Sequence, residues 1–546
     1  MSRDGSNDHQ LVHDEVRAHG YLEQIPFMIE HEETRTVARR LPRDVDIISK
    51  QNDSNPLGLI IEPTQQPTEE LVEVAGPDLV QPSEPLLQRL PLELLSEIFV
   101  YCLPHGDFHR PNKHETPLLI AQVSTFWRKV ALNTPRLWAS LEIFTERQNA
   151  DGTTSSRLLV DINELWLSRS KQYPLSLSLQ DSCVLVAHDF VLSTIRSHSS
   201  HLRYLKMNIP MSDCVFFPED AYLPLLETFE MVTEDGLELD LLQSFSNCLI
   251  AVPRLKSFTW NNRFLDFSPL KLKWSNLTYL KLNTAITLQD CLPLFLEAKV
   301  MTHITLGFVI AADYAVAPSV VLPELQSLIF CAGDNPGPMF EAIAVPKLKE
   351  LVINSRFWPH ASIKAFLRRS ACPLESFNLY CPPLNEAEFI ECLEIVQRTL
   401  KEFTVHSSSP IITDAVLERL TDTELNKDFL CPKLEVIALY NCISCSPGKF
   451  AAMAQSRLNI DAQSETQLSA RPRCTLTLKV MEMYDDEVER IYLMPLRSLG
   501  LIVKVYSSVD GTEIAMEPEN DVRLRQLHEE GRVTSVYEWA SWTIWT

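Results

Sequence analysis

A short apolar pattern returns again and again between Leu202 and Leu439: an apolar residue, two others, an apolar or aromatic residue, one other, an apolar residue. It reads Leu202-Leu205-Met207, Leu226-Phe229-Met231, Leu255-Phe258-Trp260, Leu277-Leu280-Leu282 and Met301-Ile304-Leu306. It continues as Leu325-Leu328-Phe330, Leu348-Leu351-Ile353, Leu374-Phe377-Leu379, Leu400-Phe403-Val405 and Leu434-Ile437-Leu439. From one middle residue to the next the steps are 24, 29, 22, 24, 24, 23, 26, 26 and 34. Residues two apart on a strand share a face, so the middle and last apolar residues of each unit point together into a core. The first belongs to the turn entering the strand. Pro224, Pro253, Pro323, Pro346, Pro373 and Pro432 stand just before several units, and Ser362–Ser370 and Glu386–Arg398 read as helices between them. One unit cannot bury its apolar face alone, whereas stacked copies share a continuous core. The expected fold class is α/β, with parallel strands inside and helices outside.

That period is similar to the leucine-rich repeat. The resemblance implies an irregular solenoid with a parallel sheet over 201–460, because the asparagine ladder of the strict consensus is missing. The polar strand positions, among them Arg203, Lys206, Glu227, Glu230, Lys256, Thr259, Lys281, Lys349, Glu350, Glu375, Asn378, Lys401, Glu402 and Glu435, then face a concave surface. Together they suit a protein partner. Residues 142–200 read as a linker or N-terminal cap of this domain, with a helix near Leu158–Leu167, a strand at Pro174–Leu179 and a helix at Val184–His198. Residues 461–546 read as a C-terminal cap, with strands at Cys474–Met481 and Leu499–Tyr506, a helix at Asp485–Tyr492, and an aromatic end at Trp539, Trp542 and Trp545. Pro447–Ala454 reads as a last outer helix.

Ahead of the repeats, Leu86–Leu141 is dense in apolar residues and bounded by prolines. Pro91 suits a first helical position and Glu93 the first turn. Leu94, Leu95, Ile98, Phe99 and Cys102 then read as one apolar helical face, ended by Pro104. After a polar loop a second helical pattern runs through Leu118, Leu119, Val123, Phe126, Trp127, Val130 and Ala131, and Pro135, Leu137, Trp138 and Leu141 close the block. A module this small has a marginal core and needs a neighbour. These residues, Leu90-Pro91, Leu94, Ile98-Phe99, Val123, Trp127-Arg128, Ala131, Thr134-Pro135 and Leu137-Trp138, resemble the F-box domain in the version common in large fungal paralogue sets. Ser124 stands where that family usually has cysteine, and the Leu103–Thr116 loop is longer than in the shortest members. The heptad-like lead-in of many fungal members is absent. Residues 1–85 instead read as a disordered acidic segment whose Pro56–Pro85 tract carries six prolines, with a short helix at most near Pro26–Val37.

The formal net charge of −23 argues against nucleic acid and anionic membrane surfaces as partners. No run approaches the ~20 apolar residues of a membrane span, and no signal peptide opens the chain. The 13 cysteines form no framework and suit reduced thiols, so a cytoplasmic or nuclear protein, or both, is expected. With 14 glycines and no phosphate loop, nucleophile elbow or paired-histidine zinc helix, no catalytic residues, cofactor or metal site are expected. Cys442-Ile443-Ser444-Cys445 lacks a second pair, and His105, His109 and His114 sit in a polar loop, so both are read as structural.

The F-box resemblance implies a substrate-recognition subunit of a Skp1–cullin–F-box ubiquitin ligase. Leu90, Pro91, Leu94, Leu95, Ile98 and Phe99 would meet a Skp1-like adaptor, and through it a cullin. Val123, Trp127, Leu137 and Trp138 would hold or extend that surface, and the repeats would bind an unknown target protein. The alternative is a leucine-rich-repeat scaffold that joins proteins without ubiquitin transfer.

Overall fold

The computed structural model describes residues 90–145, 155–181, 188–208, 222–233, 246–266, 272–310, 319–380, 382–407, 409–422, 429–446, 448–458, 476–481, 496, 501–506 and 513–514. The expected elements at Pro26–Val37 and Asp485–Tyr492, the Pro56–Pro85 tract and the Trp539, Trp542, Trp545 end lie outside these residues. From Glu84 onward the chain forms one compact unit.

Three helices come first: α1 (Leu92–Tyr101), α2 (Ile120–Val123) and α3 (Thr125–Leu132). A 3-10 turn at Pro135–Trp138 leads into β1 (Ser140–Thr145), followed by α4 (Ser155–Ser170), β2 (Leu175–Asp181), α5 (His188–His198) and β3 (Leu202–Asn208). The repeats continue with β4 (Thr228–Val232), β5 (Ser257–Asp266), β6 (Tyr279–Thr287), α6 (Leu288–Glu297), β7 (His303–Ile310), β8 (Val320–Val321) and β9 (Ser327–Ala332). Then come α7 (Gly337–Ala342), β10 (Ile343–Ala344), β11 (Glu350–Ser355), α8 (His360–Ser370), β12 (Ser376–Tyr380), α9 (Glu386–Val396), β13 (Glu402–His406), β14 (Ile412–Thr413) and α10 (Asp414–Leu420). Last are β15 (Val436–Tyr440), β16 (Ile443–Ser444), α11 (Lys449–Leu458), β17 (Thr477–Met481), β18 (Ile502–Tyr506) and β19 (Glu513–Ile514).

A 15-stranded sheet takes the order β1-β2-β3-β4-β5-β6-β7-β9-β11-β12-β13-β15-β17-β18-β19. Every neighbouring pair in it is parallel except the final β18–β19 pair. Two short parallel pairs, β8–β10 and β14–β16, lie outside it. The register aligns the middle residue of each repeat: Leu205, Phe229, Phe258, Leu280, Ile304, Leu328, Leu351, Phe377, Phe403 and Ile437 are consecutive partners. Leu478 and Val503 extend that row. It also begins earlier than residue 201, since Leu141 and Leu177 occupy the same position on β1 and β2. The stretch read as a linker therefore contributes strands to the sheet itself.

The inner face is dry. Leu205, Phe229, Leu280 and Ile304 are fully buried, and the helices turn Leu294, Phe366 and Phe389 into the same core. Aromatic rings carry the contact from layer to layer, Phe229 against Phe258 at 5.8 Å and Phe340 against Phe366 at 5.0 Å. Before several strands a turn closes with a hydrogen bond from the first repeat residue to the carbonyl three back: Leu226 to Leu223, Leu325 to Leu322, Leu348 to Val345, Leu434 to Cys431. Pro224, Pro323, Pro346 and Pro432 hold the second position of those turns. A fixed φ suits that place and no N–H is needed there. Gly307 on β7 marks a close approach, for a Cβ there would stand 2.7 Å from Asn283 Cα, where the β6–β7 register shifts.

Two arginines tie successive layers together. Arg369, in the last turn of α8, donates to the carbonyls of Phe340 and Ile343 at the end of α7. Arg457, in the last turn of α11, donates to the carbonyls of Leu420, Leu430 and Cys431 at 2.6–3.0 Å. Both satisfy carbonyls a helix end leaves without partners. Arg457 is buried, and desolvation draws its guanidinium down to about 10.

Candidate docking surfaces

α1 opens at Pro91 without a side-chain cap and carries Glu93 in its first turn. The residues that sequence pattern joins into one apolar face part company here. Leu95 and Phe99, four apart, are each 1% exposed, and the Phe99 ring lies 5.0 Å from that of Trp127 on α3. Leu94 and Ile98 stand one position earlier, about 100° round the helix, and are 54% and 46% exposed. Tyr101 continues their stripe at 87% exposed, and Leu92 is also exposed. On α2, Leu119 and Val123 are exposed apolar residues as well. Leu92, Tyr101 and Leu119 were not among the predicted contact residues. Their signal is the spacing Leu94, Ile98, Tyr101 at i, i+4 and i+7, which extends one stripe to the end of the helix.

The remaining predicted contacts divide the same way. Pro91 is exposed, whereas Leu90 and Trp127 are half-buried. Leu137 and Trp138 are fully buried and offer no surface of their own. Trp138 Nε1 donates to the Ala131 carbonyl at 2.9 Å, its ring meets Trp166 of α4 edge-on at 4.9 Å, and the Arg169 guanidinium lies 4.5 Å from the ring centre. Trp166 Nε1 donates in turn to the Ser140 carbonyl on β1 at 3.1 Å. Leu95, Phe99, Leu137 and Trp138 therefore anchor the helices from beneath. Ser124 is the N-cap of α3, its hydroxyl accepting from Trp127 N–H at 3.0 Å. Serine is a preferred residue for that place, which gives the departure from the F-box pattern a local reason. Arg136 pairs with Glu97, and Thr134 Oγ1 donates to Ser96 Oγ, closing the block against α1.

The loop from Leu103 to Thr116 is pinned to the start of the sheet. Glu142 N–H donates to the His109 carbonyl at 2.8 Å, Ser140 Oγ donates to the Asp107 carbonyl at 2.7 Å, and Arg110 pairs with Glu142. Phe108 packs on Tyr204 of β3 with ring centres 4.6 Å apart. His109 is buried with Nε2 at 3.2 Å from the Pro104 carbonyl, and desolvation lowers its affinity for a proton. His105 and His114 are exposed.

The second candidate surface is the outer face of the sheet. Its central row is Lys206, Glu230, Thr259, Lys281, Thr305, Ile329, Val352, Asn378, Thr404 and Ala438, in register from β3 to β15. The row changes character midway. Lys206 pairs with Glu230 at 3.4 Å, and Tyr204 OH donates to Glu230 at 2.5 Å. Further along, Ile329, Val352, Thr404 and Ala438 are buried, so this half is not the solvated polar face that alternation implies. Beside them His406 sits between Tyr380 and Tyr440 at 6.3 and 5.8 Å, where desolvation lowers its pKa.

An edge row precedes the strands. Arg203, Glu227, Lys256, Thr278, Thr302, Gln326, Lys349, Glu375, Lys401 and Glu435 are linked each to the next by a backbone hydrogen bond of 2.7–2.8 Å. Glu227 accepts from both Arg203 and Lys256, and Lys401 pairs with Glu375. Partial burial pushes the Glu227 carboxyl up, but Arg203 and Lys256 outweigh it and the net shift is downward.

Cys442 is fully buried with its thiol donating to the Val405 carbonyl at 3.4 Å, and burial pushes it up to about 12. Such a thiol is a poor nucleophile and metal ligand. Among the described residues no group of three or more His, Cys, Asp or Glu side chains converges on one point. No helix of the described residues is long and apolar enough to cross a membrane. No family model and no curated protein matches the chain.

Proposed function

We propose that the chain is a non-catalytic recognition subunit of a Skp1–cullin–F-box ubiquitin ligase. α1–α3 act as the F-box, and the repeats act as a leucine-rich-repeat solenoid that binds a target protein on the outer face of its sheet. One observation carries the reading: α1 exposes Leu92, Leu94, Ile98 and Tyr101 while Leu95 and Phe99 anchor it. Exposed apolar residues on a rigidly seated helix are suited to a partner's groove. Pro91, Leu94, Ile98 and Val123 are the proposed adaptor contacts, joined by Leu92, Tyr101 and Leu119 and flanked by Leu90 and Trp127. Leu95, Phe99, Leu137 and Trp138 hold those contacts in place. On this reading the chain's contribution is proximity, bringing a target close to the ubiquitin carrier.

The test is co-purification of Skp1 with the full chain, compared with the Leu94→Glu/Ile98→Glu and Leu90→Ala/Pro91→Ala variants. Retention by the wild type and loss in the Glu variant, with unchanged circular dichroism, supports the reading. A wild-type chain that retains no Skp1 ends it. Skp1 capture that never brings a cullin with it favours the scaffold without ubiquitin transfer.

A further inference from the structure

The outer face of the sheet is electrically uneven, in a chain whose formal net charge is −23. On β3–β6 and their edge row, the cations Arg203, Lys206, Lys256 and Lys281 stand against the anions Glu227 and Glu230. On β11–β15 and their edge row, Lys349 and Lys401 stand against Glu350, Glu375, Glu402 and Glu435. The turns before the strands do not cancel this contrast: Arg254 precedes β5, and Lys433 precedes β15 near Glu375. Beyond β15 the sign turns again at Lys479 on β17. The stretch between the two zones, on β7 and β9, presents Thr302, Thr305, Gln326 and Ser327.

The pairings explain how the cationic excess arises. Arg203 and Lys256 share the single carboxylate of Glu227 at 3.1 and 3.3 Å, and Lys206 meets Glu230 at 3.4 Å. Half-exposed pairs of this kind contribute little to stability, so an incoming carboxylate displaces them at small cost. Phe108 stacked on Tyr204 bounds the zone on one side, and Tyr279 beside His303 at 6.0 Å bounds it on the other.

We propose that the β3–β6 zone takes an extended acidic segment of the partner protein, running across the strands. Adjacent strands lie about 4.8 Å apart, so Lys206 and Lys281, three strands apart, are separated by about 14 Å. An extended chain covers that distance in about four residues, which sets the spacing of the recognised carboxylates. The inference rests on the outer face being the target-binding face.

The experiment uses the full chain and three fluorescein-labelled Gly/Ser peptides, carrying Glu, Lys or Ser at every fourth position. Binding is read by fluorescence anisotropy, and carbodiimide cross-links between peptide and protein are mapped by mass spectrometry. The Glu peptide is expected to bind tightest, to weaken with salt, and to cross-link at Lys206, Lys256 and Lys281. Lys206→Ser/Lys281→Ser is expected to weaken it about fivefold. Lys349→Ser/Lys401→Ser, which removes the same charge, is expected to change it less than about twofold. Equal weakening by both variants overturns the proposal, because net charge alone then governs binding. A Lys peptide that binds tighter and cross-links to Glu350, Glu402 or Glu435 also overturns it while leaving the target face in place. Cross-links confined to sites off the sheet overturn both.

Discussion

The outward sides of α8–α11 and of α1 are built from different chemistry. Along the repeat helices, neighbours are joined by ion pairs that run from one to the next. Lys364 and His360 of α8 meet Glu391 of α9, Glu394 of α9 meets Arg419 of α10, and Glu418 of α10 meets Lys449 of α11. α1 presents Leu92, Leu94, Ile98 and Tyr101 in the equivalent outward place. Exposed ion pairs are at home in water and contribute little stability, so they need no cover. A stripe of exposed leucine and isoleucine gains free energy only when something dry is laid over it. The difference separates a surface that is finished from one that has work left for a partner.

The sharpest way to break this contrast is to truncate the two sides of α1 in turn. Phe99→Ala is expected to cost about 3–5 kcal/mol, because it leaves a cavity against Trp127. Leu94→Ala and Ile98→Ala are expected to cost no more than about 0.5 kcal/mol each. Urea unfolding followed by circular dichroism checks both, and equal losses on the two sides would mean that α1 is buried all round.

Arg457 sharpens the repeat side. Arg457→Met removes the donor that serves the carbonyls of Leu420, Leu430 and Cys431, and is expected to cost about 3 kcal/mol. Hydrogen exchange should then rise first in α10 and α11. A loss spread evenly over the sheet would contradict the local role given to that guanidinium.

A smaller effect is expected at Ser124, whose hydroxyl caps α3. Ser124→Ala should cost about 1 kcal/mol, measured as a lowered urea midpoint with an unchanged slope. The capping role fails if the midpoint does not move.

The smallest effect concerns the ion pairs themselves. Lys364, with His360 second, draws the exposed Glu391 carboxyl down from 4.5 to about 2. A carboxylate whose folded pKa is depressed stabilises the folded state above its unfolded pKa and loses that contribution as pH falls through the folded value. The difference in melting temperature between wild type and Glu391→Gln should therefore shrink from about pH 4.5 down to pH 2. A difference that stays constant over that window would remove Glu391 from the account.

Much of the repeat region was legible because its signal is local and periodic. The middle residues from Leu205 to Ile437 fall in one row of the sheet, at the positions that a spacing of two assigns to one face. The helices at 360–370, 386–396 and 449–458 lie where the pattern between strands placed them. Leu141 and Leu177 were harder to read as sheet residues. Their strands come before the repeat pattern is established, and β1 finds its place by pairing with β2 across an intervening helix. The candidate site was half legible. Proline, glutamate and the apolar run marked α1, but Leu94 and Leu95 are chemically the same residue one position apart.

The sequence by itself determined which residues are apolar, how often they return and where prolines turn the chain. That settles the strands, the helices and the dry side of the sheet, because each follows from spacing along a few residues. Only the tertiary structure decided that Leu95 and Phe99 meet Trp127 while Leu94 and Ile98 face outward, and that Trp138 is sealed by Trp166 and Arg169. It also decided which charges of the outer face become neighbours, pairing Arg203 and Lys256 through Glu227. Burial and charge pairing depend on what distant segments bring alongside, and no local spacing encodes that.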